Sequence, residues 1–302
     1  MLPRPASTLA RLPALLALPA LPALLALPAL LALLALLAGG PVAVRAQSGE
    51  DVPFITTPDN VTLAMLRLAG VGPRDHVIDL GSGDGRIVIT AARRFGASGL
   101  GVEIVPDLVQ RSRDAAERAG VAARVEFREQ DLFQADLGRA SVITMYLLPE
   151  VNLQLRPRLL GLAPGTRIVS HDWDMGDWPP DETITVDAPD KTIGREKSSR
   201  LHRWVVPARA DGLWCGTGNA TGTKMTITQQ YQRATGTVTN IRGVFHFEGR
   251  IDATRLASVS GDGKIGLELS GEDLRVRGAE GVFAHLDGTP FRRSCCGSCR
   301  DY

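Results

Sequence analysis

Asp79-Leu80-Gly81-Ser82-Gly83-Asp84-Gly85-Arg86 is the stretch on which the reading of this chain turns. The apolar run His76–Leu80 leads into it, and the helix-patterned segment Ile87–Phe95 leaves it. Glycines at such a strand-to-helix turn let the backbone bend tightly and keep any Cβ out of a ligand's way. The helix N-terminus behind is expected to offer unpaired N–H groups. Any nucleotide-like cofactor fits that much. Spacing narrows the choice, because a dinucleotide fingerprint needs G-x-G-x-x-G. Here the third glycine follows after one residue, and Arg86 stands where the fingerprint would place it.

Outward from the loop, short β-branched runs alternate with helical stretches. Gly99–Ile104, Val125–Glu129, Ser141–Leu147 and Thr166–Ser170 read as strands. Pro106–Ala119 and Glu150–Leu162 read as helices, the first opened by proline and closed by Gly120. This alternation predicts an α/β fold, a doubly wound and mostly parallel sheet with helices on both faces. Thr183–Val186 and Leu201–Val206 are candidate closing strands. After Pro207 glycine and threonine become frequent and helical periodicity stops. Lys224–Gln230, Thr235–Ile241, Val244–Ile251, Lys264–Leu269 and Val282–Leu286 read as short strands of a small antiparallel β-barrel-like domain. The expected organisation is a leader over 1–46, a linker over 47–57, an α/β domain over 58–207, a β-rich domain over 208–288 and a loose cysteine-containing tail over 289–302.

The leader contains LPALLALPALPALLALPALLALLALLA at 12–38, preceded by Arg4 and Arg11 and followed by Val44-Arg45-Ala46. It reads as a cleaved signal peptide or as an uncleaved membrane anchor, and both place the folded part outside the cytoplasm. A third reading is a repetitive GC-rich stretch of gene miscalled as coding sequence. The formal net charge of +1 supplies no long-range field for collecting nucleic acid, so no nucleic-acid partner is expected. Basic charge is almost all arginine; the only lysines are Lys191, Lys197, Lys224 and Lys264, which reads as a composition bias. Cys296-Gly297-Ser298-Cys299 has no second pair or nearby histidines, so no metal site is expected. A disulfide is the chemical use such cysteines have in an oxidising compartment, against a tail with no role at all.

The loop pattern D-x-G-x-G-x-G resembles motif I of class I S-adenosylmethionine-dependent methyltransferases. The resemblance implies that Gly81, Ser82, Gly83 and Gly85 admit the methionine part of S-adenosyl-L-methionine, with Asp79 near its amino group. Glu103 ends the second strand, where a carboxylate accepts both ribose hydroxyls. Asp131, after the third strand, matches the family position that receives the adenine amino group, with Leu132 and Phe133 beside the base. A narrower resemblance covers residues 51–178. It rests on Pro53-Phe54-Ile55-Thr56-Thr57-Pro58, Gly-Asp-Gly-Arg-Ile-Val from Gly83, Tyr146-Leu147-Leu148-Pro149 and Gly165-Thr166-Arg167-Ile168-Val169-Ser170-His171-Asp172. Together these resemble the mitochondrial protein-lysine methyltransferases acting on the adenine nucleotide carrier and on the ring-forming membrane protein of ATP synthase, and related short bacterial proteins.

That resemblance implies a lid over the cofactor at Thr56, Thr57 and Pro58, and a methyl acceptor, a protein lysine, at the exit of the fourth strand. Tyr146 would orient the amine and Asp172 or Asp174 would accept its proton. The plain structural alternatives are that Thr57-Pro58 caps the first helix, that Tyr146 is a packed ring, and that His171 and Asp172 are ordinary strand-end polar residues. Asp172–Trp178 reads either as an acidic, aromatic receptor for lysine or as a loop anchored by its tryptophans. The expected partner is a protein substrate, including a membrane protein, with membrane contact through residues 12–38. Against the lysine methyltransferase stand a secreted or membrane-attached binding protein that kept the fold, a methyltransferase for a small molecule, and an NAD-dependent oxidoreductase disfavoured by the loop spacing. An outward-pointing leader conflicts with a cytoplasmic cofactor: either the cofactor reaches the domain, or the leader inserts the other way, or the protein acts differently, as a binding protein would.

Overall fold

The computed structural model describes residues 55–192, 195–295 and 297–299. The expected leader and most of the linker lie outside the described residues. Among the described residues no helix is long and apolar enough to cross a membrane.

The first unit is a seven-stranded sheet. Its strands are β1 (His76–Leu80), β2 (Ser98–Glu103), β3 (Val125–Glu129), β4 (Val142–Met145), β5 (Arg167–His171), β6 (Glu182–Asp187) and β7 (Ser198–Val205). The order is β3-β2-β1-β4-β5-β7-β6, with β1 to β5 parallel and β7 antiparallel to both its neighbours. The helices are α1 (Asp59–Leu68), α2 (Arg86–Phe95), α3 (Pro106–Arg118) and α4 (Pro149–Leu160). Strand order reverses between β1 and β4, and the crevice at the carboxyl ends there is where doubly wound sheets bind ligands.

Parallel strands covered on both faces read as continuous apolar runs, and β1 and β4 do. Alternation sends Ile78 and Leu80 to one face, against Ile143, Leu155, Leu159 and Trp204. Val77 goes to the other face, against Val61, Met65, Ile87 and Ala91 of α1 and α2. Asp79 shares the face of Val77 because successive side chains alternate. A carboxylic acid is therefore built into a hydrophobic layer, 2% exposed.

The second unit is a closed barrel. It consists of β8 (Gly212–Gly216), β9 (Lys224–Gln230), β10 (Arg233–Asn240), β11 (Gly243–Asp252), β12 (Arg255–Gly261), β13 (Gly266–Ser270), β14 (Asp273–Arg277) and β15 (Pro290–Arg293). Trp214, Phe247, Phe283 and Phe291 fill its interior. Two expectations are corrected here. Val282–Leu286 is not a strand; Gly281–Leu286 is a 3-10 helix plugging the barrel. Phe283 and Leu286 stand three residues apart, the repeat of that helix, and both are buried. Nor is the chain loose from residue 289. Pro290–Arg293 pairs with both β14 and β8 and so closes the barrel, which removes the exposed edges. A Cys215–Cys299 disulfide ties the following segment to β8. Cys296 lies outside the described residues, and no candidate metal cluster occurs among those described.

The barrel meets the sheet through the turn between β9 and β10. Gln232 Nε2 donates to the Pro179 carbonyl at 2.7 Å, and Trp178 Nε1 donates to Gln232 Oε1 at 3.1 Å. Tyr231 stacks on the Trp178 ring at 5.9 Å and its hydroxyl donates to Asp177 at 2.8 Å. Trp178 is fully buried, and its carbonyl accepts from Trp204 Nε1 at 3.0 Å. The segment after β5 is thus anchored by Trp178, as the packing alternative has it. The barrel buttresses it. Replacing Trp178 by alanine removes a large ring from both units and is expected to cost about 3–5 kcal/mol. That lowers the melting temperature by about 10 °C in calorimetry.

Candidate active site

The motif I loop follows β1 directly. Gly81, Gly83 and Gly85 all take positive φ, 74°, 53° and 77°, a region that L side chains avoid. A Cβ on Gly81 would meet Leu147 Cδ2 at 2.9 Å, so the glycine lets the β4 exit close over the loop. Gly85 faces elsewhere. Its Cβ would meet the Phe127 ring at 2.6 Å and Ser112 at 2.9 Å, in the packing between α2 and α3. The structure thus gives Gly85 a packing reason for lacking a side chain at the start of α2.

The loop amides are spent internally. Gly81 N and Ser82 N both donate to the Val102 carbonyl at 2.9 Å, Gly85 N donates to the Ser82 carbonyl at 2.9 Å, and Arg86 N donates to Asp84 at 3.2 Å. These four amides are paired; the expected unpaired N–H groups are those of the first turn of α2, behind the loop. A pyrophosphate site needs such groups free. The loop's own paired amides do not add to such a cradle, in line with the glycine spacing.

Glu103 is gripped by backbone. Its Oε2 accepts from Gly83 N at 2.9 Å, and its Oε1 accepts from Ile104 N at 2.8 Å and Val105 N at 3.0 Å. The carboxylate is held against the loop by these three bonds. Asp131 accepts from Phe133 N at 2.9 Å and caps a 3-10 turn over Leu132–Gln134. Ile104 is 67% exposed and Phe133 is 36% exposed, unusual values for large apolar side chains. They supply apolar surface for a flat base beside the two carboxylates. Ser82 Oγ is buried without a hydrogen-bond partner among the described residues. These features fit a nucleoside with a cationic amino-acid arm. Glu103→Gln trades one acceptor oxygen for a donor facing backbone N–H groups. It is expected to weaken binding of S-adenosylhomocysteine about 10- to 100-fold by titration calorimetry.

Asp79 accepts from Thr144 Oγ1 at 2.7 Å. Burial, opposed by that hydrogen bond and reinforced by the charges of Asp84 and Glu103, pushes its carboxyl up to about 7. A cation arriving nearby would draw it back to the ionised state.

The second half of the site lies at the exits of β4 and β5. Tyr146 stacks on His171 at 3.9 Å between centroids, and its hydroxyl donates to Asp172 Oδ2 at 3.4 Å. Asp172 holds a left-handed φ of 63°, and its Oδ1 accepts from Arg200 N at 3.1 Å. Lys191 Nζ lies 2.7 Å from Asp172 Oδ2. His171 is fully buried and joins Thr57 Oγ1 at 3.2 Å to Ser199 Oγ at 2.8 Å. Burial lowers its basicity, so it is neutral near pH 7, and its 3.5 Å approach to Asp172 is no ion pair. Burial and the Asp172 charge push Tyr146 up to about 12, so the phenol keeps its proton.

Thr57 links the two halves. Its carbonyl accepts from Arg86 Nη1 at 2.8 Å while its hydroxyl meets His171. It therefore sits as a strap between motif I and the β5 exit. Pro58 takes the cap position of α1 without a side-chain capping bond. Asp174 is not in the network: its Oδ1 accepts from Gly176 N at 3.0 Å in the local turn. Lys191, Ser199 and Arg86 are not legible as site residues in the sequence. There Arg86 only breaks the dinucleotide pattern, and Lys191 only belongs to a composition bias.

A Rossmann-like sheet in this strand order, a glycine loop without the dinucleotide spacing and two strand-end carboxylates define a class I S-adenosyl-L-methionine-dependent methyltransferase. Comparison with known proteins agrees. The profile of the ANTKMT methyltransferase domain matches residues 79–182. A protein-lysine N-methyltransferase of Saccharolobus islandicus is 42% identical over 138 residues, 45% of this chain and 86% of that protein. The mouse adenine nucleotide translocase lysine N-methyltransferase is 35% identical over 119 residues, 39% of this chain and 50% of that enzyme. A solved Salinibacter ruber structure, described as an RNA methyltransferase with S-adenosyl-L-homocysteine, is 51% identical, covers 51% of this chain and 95% of its own, and superposes with a TM-score of 0.47. The chain belongs to the protein-lysine N-methyltransferase family represented by the Saccharolobus protein.

Proposed function

We propose that the protein methylates the ε-amine of a protein lysine. The observation that carries this is the seat at the β4 and β5 exits, where Asp172, Tyr146 and neutral His171 face one another beside the Leu147–Gly81 contact. The substrates of the lysine-methylating relatives support the same acceptor. A lysine enters as an ammonium. Asp172 pairs with it and accepts its proton, Tyr146 orients the nitrogen with a phenol that keeps its own proton, and the Thr57 strap excludes water. S-adenosylmethionine, when bound, supplies a methyl on a sulfonium, an electrophile that proximity and orientation let a neutral amine attack. Asp79 and Glu103 hold the cofactor's amino and ribose groups.

The test is transfer of labelled methyl to a membrane-protein extract, with and without prior acetylation of its lysines. Label in methyl-lysine that acetylation removes is the expected result. Total RNA, the acceptor in the description of the Salinibacter ruber protein, competes in the same assay, and label in RNA alone overturns the lysine reading. Cofactor binding without any transfer would leave a binding protein of the same fold.

The same reading places the folded part outside the cytoplasm or at a membrane. Its supports are the apolar run at 12–38 and the Cys215–Cys299 disulfide, a bond that persists in oxidising compartments. Fractionating cells that express the full chain tests it; recovery in the cytosol with both thiols reduced is the contrary result.

A further inference from the structure

We propose that the Asp172–Tyr146 seat is occupied in cis by Lys191 and that Lys191 is itself a methyl acceptor of the enzyme. This rests on the lysine reading above and extends it to the chain's own side chain.

Lys191 lies on the connection between β6 and β7 and reaches back to the exit of β5. Its Nζ is 2.7 Å from Asp172 Oδ2 and donates to the Ser198 carbonyl at 2.8 Å. Both side chains are largely withdrawn from water, with Lys191 13% and Asp172 16% exposed. The same Asp172 oxygen accepts from the Tyr146 hydroxyl, so the ammonium sits where a substrate ammonium would be received. The choice of residue is informative. Only four of the chain's 34 cationic residues are lysine. An arginine would serve a plain structural pairing, forking two N–H groups onto a carboxylate. The neighbouring Lys197 instead donates to the Lys191 carbonyl at 2.7 Å, and Lys264 pairs with Glu280 on the barrel. Lys191 alone among the lysines meets Asp172.

Transfer forms a bond between Nζ and the methyl carbon and breaks the bond from that carbon to sulfur. The bonding pair stays on sulfur, leaving S-adenosylhomocysteine, and the ammonium proton passes to Asp172 and on to water. A tethered lysine competes with external acceptors at the high effective concentration of a short loop. Self-methylation and access of substrate are thus linked.

Two readouts test this on the full chain. After incubation with S-adenosylmethionine, mass spectrometry of the peptide carrying Lys191 is expected to show methyl increments there, absent in Lys191→Arg. Independently of turnover, n-butylammonium titrated into the S-adenosylhomocysteine complex is expected to bind about tenfold more tightly to Lys191→Ala than to the unaltered chain. If an external lysine is methylated while Lys191 is not, self-methylation is wrong and the lysine function stands. If neither is methylated although S-adenosylhomocysteine binds, the lysine function itself falls. Equal n-butylammonium affinity in the two proteins overturns occupancy of the seat in cis. Should Lys191→Ala fail to fold, Lys191→Gln carries the same titration.

Discussion

Asp79→Asn is expected to reduce S-adenosylmethionine affinity at least about 100-fold and, at pH 8, to make the folded protein more stable. The opposite signs follow from one cause. Asp79 is buried on the α1–α2 face of the sheet, and its carboxyl is pushed from 3.8 up to about 7. Between those values the folded chain holds a proton that the unfolded chain has released, so stability falls as pH rises through that window. By pH 8 the loss reaches about 4 kcal/mol, taking 1.4 kcal/mol per tenfold. Asparagine keeps the acceptor for Thr144 Oγ1 and cannot ionise, so the variant escapes the loss. Urea melts at pH 5 and pH 8 should show its advantage growing with pH. Binding runs the other way. The cofactor's amino group, which the family resemblance places near Asp79, favours the ionised acid. Affinity of the unaltered protein should therefore rise with pH up to about 7 and then level off, while the variant stays weak and flat. A variant that binds normally removes Asp79 from the cofactor site.

Asp172→Asn is expected to lower kcat by about 10²- to 10⁴-fold, the range for losing a general base. Affinity for S-adenosylhomocysteine should stay within about twofold, because Asp172 sits on the acceptor side. Asparagine suits the test for a backbone reason: Asp172 has φ of 63°, and Asn tolerates that conformation better than most side chains. Its carbonyl oxygen can still accept from Arg200 N, so the β5 exit keeps its shape. What disappears is the charge facing the Lys191 and Tyr146 groups. The pH dependence of the rate gives a second check. Tyr146 is pushed up to about 12 and burial keeps His171 neutral, so neither titrates between about pH 7 and 9. At saturating S-adenosylmethionine, where the effect of Asp79 on cofactor affinity no longer enters the rate, a limb in that range reports the acceptor amine. An Asp172→Asn enzyme that turns over at the normal rate would assign proton removal to water.

Much of the cofactor half is legible in the chain. The His76–Leu80 run, the glycine spacing, and acids at Glu103 and Asp131 are local features, each set within a few residues of a strand end. Their contacts are local too: Glu103 binds its own two following amides and a loop that the adjacent strand presents. The pairing of the loop's own amides is not legible, for the complementary reason. Whether Gly81 N and Ser82 N are free depends on Val102, a residue of the neighbouring strand. The packing beside Gly85 is not legible either, since only the positions of Phe127 and Ser112 show what a side chain there would meet.

By itself, the order of residues determined the alternating α/β unit, the class of cofactor loop and the change to β structure after Pro207, because periodicity and turn chemistry act over a few residues. The tertiary structure alone decided the acceptor side and the closure of the barrel. Lys191 meets Asp172, Thr57 meets His171, and Cys215 meets Cys299 across separations over which side-chain pattern carries no information. Pro290–Arg293 became a strand only because β8 and β14 each left an edge to be filled, and satisfying those backbone groups outweighed the weak strand preference of a short proline-led segment.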